Sequence, residues 1–275
     1  MLGLSNSLSS SVAGSPAMQG SPAPAANTNS YSILLDGTND KLTQPDNDNL
    51  FQTFSGSSVN ASMSFYIKMP AGVDVYPLFF KQANYSVSYG FILWYTDSNG
   101  DLKIQHVNNF SSPSSVWARG WSTGFSTNTW YHVVVTTDGS ATDRVTKCYV
   151  DGTEQTANFG SDDVASSVEL EAWTSNATPT PLVIGQHPPY GEAANMYIDQ
   201  IATWTSVLTQ SAVTEIYTNN PNLTSDSGNY RASSSLDRYH KIEENTGTTS
   251  VDSSGNSNAP LTLANGAAWS TDKPW

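Results

Sequence analysis

The sequence predicts an all-β protein, and three observations support this fold class. Charged residues make up only 13% of the 275 residues, whereas Ser, Thr, Asn, Gly and aromatic residues are plentiful, as in short strands joined by polar turns. Several segments alternate apolar and polar residues with a period of two. Turn pairs such as Asp36-Gly37 and Asp151-Gly152 separate these segments. Because sandwiches of this length commonly stay single domains, we expect one main domain.

The strands of the predicted sandwich follow from this alternation. Residues 62–69 place four apolar side chains on one face, as expected for a half-buried strand. These side chains are Met63, Phe65, Ile67 and Met69. Residues 89–95 and 102–107 flank one polar turn, and residues 130–136 and 145–150 flank another. Each pair predicts a β-hairpin.

One short helix is predicted after the last strands of this region. Three apolar residues have helical spacing: Val213, Ile216 and Tyr217. Thr209 is suited to the N-cap, and the sequence Asn-Asn-Pro at 219–221 ends the helix. The following residues, 222–234, are rich in Ser, Asn and Gly and predict a long surface loop.

Several motifs in order resemble those of concanavalin A-like, laminin-G-type jelly rolls. They are an opening strand with an Asp-Gly turn at 31–40, a core strand at 63–69, and the segments 128–135, 148–152 and 181–217. The tail at 239–269 is similar to a strand pair that family members carry before the opening strand, although here it comes last. The resemblance implies an antiparallel two-sheet jelly-roll sandwich over residues 31–275.

The first thirty residues form a separate segment without any charged side chain. Ordering a residue costs about 1–2 kcal/mol, and this Ser/Gly/Ala/Pro-rich segment has too few apolar groups to offset that cost alone. We therefore expect an extended N-terminal arm, residues 1–30, that binds another protein surface. The apolar residues available for this contact are Leu2, Leu4, Leu8, Val12 and Met18.

Charge and cysteine content narrow the choice of partners. Eleven basic and twenty-four acidic residues give a net charge of −13, which repels nucleic acid and anionic lipid. No segment reaches the roughly 20 apolar residues of a membrane helix, so we expect no membrane insertion.

The N-terminus lacks the pattern of a signal peptide. The single cysteine, Cys148, excludes an intrachain disulfide. We expect assembly in a cytoplasm.

In three features the chain resembles laminin-G-like structural proteins of marine tailed phages. These features are the uncharged arm, the late position of the strand pair and the lack of an export signal. This resemblance implies a virion protein assembled in the host cytoplasm, either a capsid decoration or a fibre. The arm would dock on capsid or tail proteins and the jelly roll would face outward. Such proteins commonly close around a symmetry axis, so we expect a homo-oligomer.

The sequence predicts no catalytic residue. Glucanases of the resembling superfamily carry Glu-x-Asp-x-x-Glu on one strand, so that two carboxylates face the scissile bond. The nearest sequence here, Glu169-Leu-Glu171, lacks the third acid. Four histidines lie far apart in the sequence, and no nucleophile-elbow motif supports a Ser-His-Asp triad, which stays open. We expect a protein that is not an enzyme, with glycan cleavage as a disfavoured alternative.

A glycan-binding adhesin, acting as a tail or surface receptor-binding protein on a cell-surface glycan, is the second functional hypothesis. Pyranose rings stack on indoles while planar polar groups bind the hydroxyls. In segments predicted as loops, the candidates are Trp117, Arg119, Trp121 and Tyr190. The alternative is that Trp117 and Trp121 cover the sandwich edge or contact a neighbouring subunit. Trp130 and Trp204 lie in strand patterns and are predicted to be core residues.

Calcium is the only cofactor that the sequence suggests. Hard oxygen ligands in Asp-rich loops suit Ca²⁺, and jelly rolls of the resembling family often bind it. The candidate ligands are Asp36, Asp40, Asp46 and Asp48. Ordinary turn chemistry explains the same residues, because Asp side chains accept hydrogen bonds from nearby backbone amides.

Overall fold

A computed structural model describes residues 27–45, 60–70, 72, 74–82, 91–107, 116–139, 145–160 and 181–275. Its two large sheets are antiparallel, and one α-helix lies in this part of the chain. The predicted all-β sandwich is therefore confirmed.

Sheet A contains eight strands. They are β1 (Ser32–Asp36), β3 (Ala61–Lys68), β8 (Trp130–Asp138), β9 (Val145–Val150), β10 (Thr153–Glu154), β15 (Asn195–Trp204), β16 (Leu236–His240) and β19 (Ala268–Ser270). The strands follow the order β10-β9-β8-β3-β15-β1-β19, and β16 also pairs with β15.

Sheet B contains nine strands. They are β2 (Lys41–Gln44), β4 (Tyr76–Gln82), β5 (Phe91–Thr96), β6 (Leu102–Val107), β7 (Val116–Trp121), β11 (Ala157–Gly160), β12 (Leu182–Ile184), β17 (Thr249–Ser250) and β18 (Leu261–Ala264). The order is β11-β7-β6-β5-β4-β12-β2-β18-β17. A small hairpin adds β13 (Gln186–His187) and β14 (Glu192–Ala193). The late strands complete both sheets, because β18 pairs with β2 and β19 pairs with β1.

The main core lies between the two sheets and follows the predicted alternation. On β3, the side chains of Met63, Phe65 and Ile67 are fully buried in this core. The ring of Phe65 meets that of Phe79 from sheet B edge-to-face, with centroids 5.0 Å apart. Cys148 is buried in the same core, and burial raises the pKa of its thiol. Phe65, Phe79 and Cys148 therefore mark the interior contact of the two sheets.

A second core covers the outer face of sheet A. The sheet contributes Val134, Tyr149, Ala202 and Trp204, and the covering layer contributes helix α1 (Gln210–Asn219) and the loop after it. Residues 222–234 are thus more than the predicted surface loop, because Leu223 and Tyr230 are 3% and 0% exposed. The Trp204 indole N–H donates to the Tyr230 hydroxyl at 3.0 Å, which joins the loop to the sheet. A short 3-10 helix, Ser233–Ser235, follows.

Helix α1 begins and ends as the sequence predicts. The Thr209 hydroxyl accepts a hydrogen bond from the Ala212 amide at 3.2 Å, satisfying one of the free amides of the first turn. Asn220 adopts a left-handed C-cap with φ 42°, a conformation that Asn tolerates. The Gln210 side-chain amide donates to the Gly152 carbonyl at 2.6 Å, so the helix is fixed on the turn between β9 and β10. The described helix is too short and too polar to cross a membrane.

The chain enters the sandwich earlier than the predicted boundary at residue 31. The Asn29 side chain is 5% exposed and donates to a carboxylate oxygen of Asp199 at 2.6 Å. The Lys273 ammonium donates to the Asn29 carbonyl at 2.5 Å. Residues 27–30, assigned to the arm, therefore contact the jelly roll. Five predicted arm residues, Leu2, Leu4, Leu8, Val12 and Met18, lie outside the described residues.

Candidate functional site

A pocket of about 600 Å³ opens on the outer face of sheet A, beside the C-terminal end of α1. Its volume lies within the range of small-molecule sites. Five parts of the chain line it: Asn27; Tyr66, Trp130 and His132 of sheet A; Asp151; residues 217–220; and Pro274 and Trp275. We call this cavity the α1 pocket.

Tyr66 and His132 form the floor of the α1 pocket. They lie on adjacent strands and point outward, because their neighbours Phe65 and Val133 point into the main core. The Tyr66 ring lies 4.6 Å from the imidazole. His132 is fully buried, and burial lowers its pKa to about 3, so the ring is neutral at pH 7.

Tyr217 forms one wall. The helical spacing predicts Tyr217 as one of the apolar positions of the helix. Its side chain is nevertheless 43% exposed, because it projects from the last turn over sheet A. Its ring stacks parallel to His132 with centroids 6.0 Å apart. Gly152 makes room for it, since a Cβ at that position would lie 3.3 Å from Tyr217 Cδ1. Gly152 also has φ +77°, which side-chain-bearing residues rarely adopt.

Trp275 forms the opposite wall. Its ring meets Tyr66 edge-to-face at 4.8 Å and is 42% exposed. Asp272 fixes the tail that carries it: the carboxylate pairs with the Lys68 ammonium and accepts a hydrogen bond from Trp130 Nε1 at 2.9 Å. Burial alone would raise the pKa of Asp272, but these two partners lower it overall. Trp130 is therefore half-buried beside the pocket, which corrects its prediction as a core residue.

Polar groups complete the rim. Asp151, in a turn with φ 49°, accepts a hydrogen bond from the His132 backbone amide at 2.9 Å. Burial raises the pKa of Asp151, and this hydrogen bond opposes the rise. Asn27 donates to the Pro221 carbonyl at 2.7 Å and to the Tyr239 hydroxyl at 2.8 Å. Asn219 and Asn220 add further amides to the lining. The α1 pocket thus combines aromatic faces with planar polar groups.

Ser64, His132 and Asp151 lie together but do not have the geometry of a catalytic triad. Ser64 Oγ lies 2.8 Å from His132 Nε2, and both residues are buried. Asp151 contacts the backbone amide of His132, whereas a triad carboxylate orients the imidazole through its Nδ1. A histidine with a pKa near 3 is also a weak general base at neutral pH.

The four glycan-binding candidates from the sequence do not all meet at one site. Trp117, Arg119 and Trp121 lie on strand β7 of sheet B, not in a loop. Trp121 is 1% exposed within the main core, so its ring has no free face for a sugar. Arg119 and Trp121 both line a separate groove at the sandwich edge. Only the backbone of Trp117 is described. Tyr190 is 66% exposed and follows β13, with its ring 4.8 Å from His187.

The two calcium candidates that the structure describes, Asp36 and Asp40, form hydrogen bonds within a turn. Asp40 accepts a hydrogen bond from the Asp36 amide at 3.0 Å, and Asp36 accepts one from the Thr38 amide at 2.7 Å. Burial raises the pKa of Asp40. Asp46 and Asp48 lie outside the described residues. Within the described ranges, no three His, Cys, Asp or Glu side chains cluster as they would around a metal ion.

Sequence reasoning missed the main aromatic residues of the α1 pocket. Tyr66 had a detectable signal, because it is the large residue on the polar face of an alternating strand. Tyr217 and Trp275 had none that linked them, since their positions differ by 58 and no local motif includes both. Their proximity results from the path of the C-terminal tail across sheet A.

Comparisons with known proteins agree with this architecture. Residues 36–214 match the family model described as concanavalin A-like lectin/glucanases superfamily, of the laminin G type. A heptameric SAP-like pentraxin from Limulus polyphemus has a TM-score of 0.50 at 15% identity, covering 89% of this chain and 96% of its own. A Bacteroides ovatus protein assigned to carbohydrate binding has a TM-score of 0.54 at 13% identity, covering 88% and 60%.

At these identities the two solved structures establish a shared fold and nothing finer. No curated protein matches the sequence. The family match spans more than half of the chain and agrees with the two-sheet topology. The chain therefore belongs to the concanavalin A-like lectin/glucanase superfamily.

Proposed function

We propose that this protein is a carbohydrate-binding module without catalytic activity, and that the α1 pocket is its binding site. The observation that carries the proposal is the pairing of two exposed aromatic side chains, Tyr217 and Trp275, at one pocket. Aromatic faces that remain exposed beside planar amides suit a pyranose, whose C–H face stacks on a ring while its hydroxyls bind polar groups.

The distribution of aromatic residues favours this site. Three aromatic side chains are strongly exposed in the described part of the chain: Tyr190, Tyr217 and Trp275. Two of them border the α1 pocket, together with Trp130 and Tyr66. Carbohydrate binding is also the function assigned to the similar Bacteroides ovatus protein, and the family description includes lectins.

The proposal that the protein is not an enzyme rests on the acidic groups. Glycoside hydrolysis uses two carboxyl groups about 5–10 Å apart on either side of the bond. Among the described side chains that line the α1 pocket, Asp151 is the single carboxylic acid. The neighbouring His132 is buried and neutral at pH 7, because burial lowers its pKa to about 3, so it is a poor general acid there.

The test compares aromatic residues on the two sides of the sandwich. Glycan-array screening of the full chain identifies a ligand, and calorimetry then measures its affinity for Trp275→Ala, Tyr217→Ala and the control Tyr190→Ala. We expect at least a tenfold loss for the first two, about 1.4 kcal/mol, and no loss for the control. Loss of binding in Tyr190→Ala alone would move the site to the β13–β14 hairpin.

A second proposal is that the chain is a virion structural protein of a tailed phage, with residues 1–30 as its attachment arm. The composition of the arm supports it, and so does the way its last residues are fixed, since Asn29 binds Asp199 and Lys273. Oligomer formation and binding to capsid or tail proteins belong to this proposal.

Its test adds the full-length chain, or a chain lacking residues 1–26, to tailed-phage particles without the protein. We expect the full-length chain to co-sediment and the truncated chain to stay in the supernatant, because the arm provides the contact. Calorimetry with the glycan is the control, as the α1 pocket is retained. Equal co-sedimentation of both chains would contradict the attachment role.

A further inference from the structure

We infer that the α1 pocket selects carbohydrates that bear a protonated amine, such as glucosamine oligomers, over N-acetylated or acidic glycans. This inference rests on the proposed carbohydrate-binding function and adds the chemical class of the ligand. Two features carry it: aromatic rings on several sides of the pocket, and a carboxylate as its one charged side chain.

The rings provide surfaces that attract a cation. A cation within about 6 Å of the centre of a Trp or Tyr face interacts favourably with the ring, and Trp interacts most strongly. The α1 pocket has Tyr66 at its floor and Tyr217, Trp130 and Trp275 around it. Tyr66 and Trp275 are in direct contact, with centroids 4.8 Å apart, so two aromatic surfaces meet in one corner of the cavity.

Asp151 adds the negative charge. It lines the pocket beside Tyr217, and its charge is the main cause of the raised pKa of the Tyr217 hydroxyl. Asp151 also contributes to the raised pKa of Tyr66, after burial and the charges of Asp199 and Tyr239. The carboxylate therefore acts electrostatically on both the wall and the floor of the pocket, where it would also act on a bound amine.

Two lysines neighbour the lining residues in sequence or through Asp272, but their ammonium groups bind other partners. No Lys or Arg is among the described residues that line it. The Lys68 ammonium pairs with Asp272 and lies 5.1 Å from the Tyr197 ring centre. Lys273 donates to the Asn29 carbonyl. His132 is neutral, because burial lowers its pKa to about 3. Among the described side chains that line the pocket, the only formal charge at neutral pH is thus the negative charge of Asp151.

The Asp151 carboxylate and the rings together discriminate between sugars of similar shape. A protonated amine gains attraction from both the carboxylate and the rings, whereas N-acetylation removes its charge and both of these interactions. A sialic acid or uronic acid would place a second carboxylate near Asp151 in a protein that already carries a net charge of −13. The expected order of affinity is amine, then neutral, then acidic.

The experiment compares two trisaccharides that differ only in N-acetylation, the glucosamine trimer and the N-acetylglucosamine trimer. Calorimetry is run on the full chain at about pH 6, where the amine is protonated, and at about 150 mM salt, to screen long-range attraction. We expect the glucosamine trimer to bind at least fivefold more tightly.

Asp151→Asn is the informative variant. Asn keeps an oxygen that accepts from the His132 amide and tolerates the positive φ of the turn, so the fold is retained. We expect this variant to bind both trimers with similar affinity. The matched control is Glu192→Gln on strand β14, which removes the same charge from an exposed side chain away from the pocket. It should keep the fivefold preference.

Two outcomes would overturn the inference while the proposed function stands. One is equal or tighter binding of the acetylated trimer that Trp275→Ala abolishes. The other is an equal loss of preference in Glu192→Gln and Asp151→Asn, which would assign the preference to net charge. If neither trimer nor any arrayed glycan binds the full chain, the proposed function fails together with the inference.

Discussion

The two outer faces of the sandwich differ in how they bury their apolar side chains. On sheet A, helix α1 and the loop after it cover the sheet, and twelve buried residues form a second core there. On sheet B, the described outward cluster is small, with Phe80, Leu93 and Val183 beside Tyr95. The α1 pocket lies where the covering layer of sheet A meets the C-terminal tail. The covering layer, rather than a bare sheet, therefore forms this candidate site.

The two faces also differ in what shifts the pKa of a nearby histidine. His132 on sheet A is fully buried, and burial alone lowers its pKa to about 3. Burial also lowers the pKa of His187 beside sheet B, but a hydrogen bond to Glu192 at 3.3 Å opposes the shift. Burial therefore favours the neutral form of His132, in the floor of the α1 pocket, more strongly than it favours the neutral form of His187.

The largest expected difference between the faces is in stability. Trp204→Ala should lower the free energy of unfolding by about 3–5 kcal/mol, because the indole is fully buried and bonds to Tyr230. Leu93→Ala on sheet B should cost about 2 kcal/mol, since its cluster is smaller. Urea unfolding of both variants measures the difference. Equal losses would show that the covering layer on sheet A contributes no extra stability.

Acid should destabilise the protein through His132. Its folded pKa lies below its unfolded value of about 6.5, so protonation favours the unfolded state. The stabilisation is complete above pH 6.5 and decreases as pH falls toward 3, by about 2 kcal/mol at pH 5. His132→Gln should remove this part of the pH dependence of unfolding between about pH 7.5 and 5.

His187→Gln is the matched control for this titration. We expect it to flatten the same curve less, because Glu192 offsets part of the burial effect on the pKa of His187. A larger change in the pH dependence of unfolding for His187→Gln than for His132→Gln would contradict this expectation. The histidine with the larger pKa shift would then lie beside sheet B rather than on sheet A.

Two glycines test how closely the pocket wall is packed. Both have positive φ, +77° at Gly152 and +69° at Gly191, so alanine strains either turn by about 1 kcal/mol. A Cβ at Gly152 would also press on Tyr217, whereas at Gly191 it meets open space. Gly152→Ala alone should therefore weaken glycan binding, by about threefold. Unchanged affinity would mean that the position of Tyr217 is not critical.

The smallest effect concerns the exposed tyrosines. Tyr190→Ala should change the free energy of unfolding by less than about 0.5 kcal/mol, because its side chain is 66% exposed. Tyr217→Ala should cost slightly more, since its ring stacks on His132. Thermal unfolding of both variants gives the comparison, and a larger loss for Tyr190→Ala would contradict it.

Three features could be predicted from the sequence alone: the fold class, the alternating core strand with Phe65, and the helix that starts after Thr209. These features depend on local spacing and turn chemistry, which a single sequence contains. It could not reveal that Trp130 borders a pocket or that Trp121 faces the core. Alternation assigns a residue to one face of a strand, but it does not show which face another segment will cover.

The candidate site, in contrast, depends on long-range packing. Tyr66, Tyr217 and Trp275 meet because the tail crosses sheet A and Asp272 binds Lys68 and Trp130 there. Each of these contacts joins positions that are far apart in the chain. Closing such a contact depends on the energy of the whole fold, since the order of strands in the sheets sets the path of the tail. No local pattern of residues contains that information.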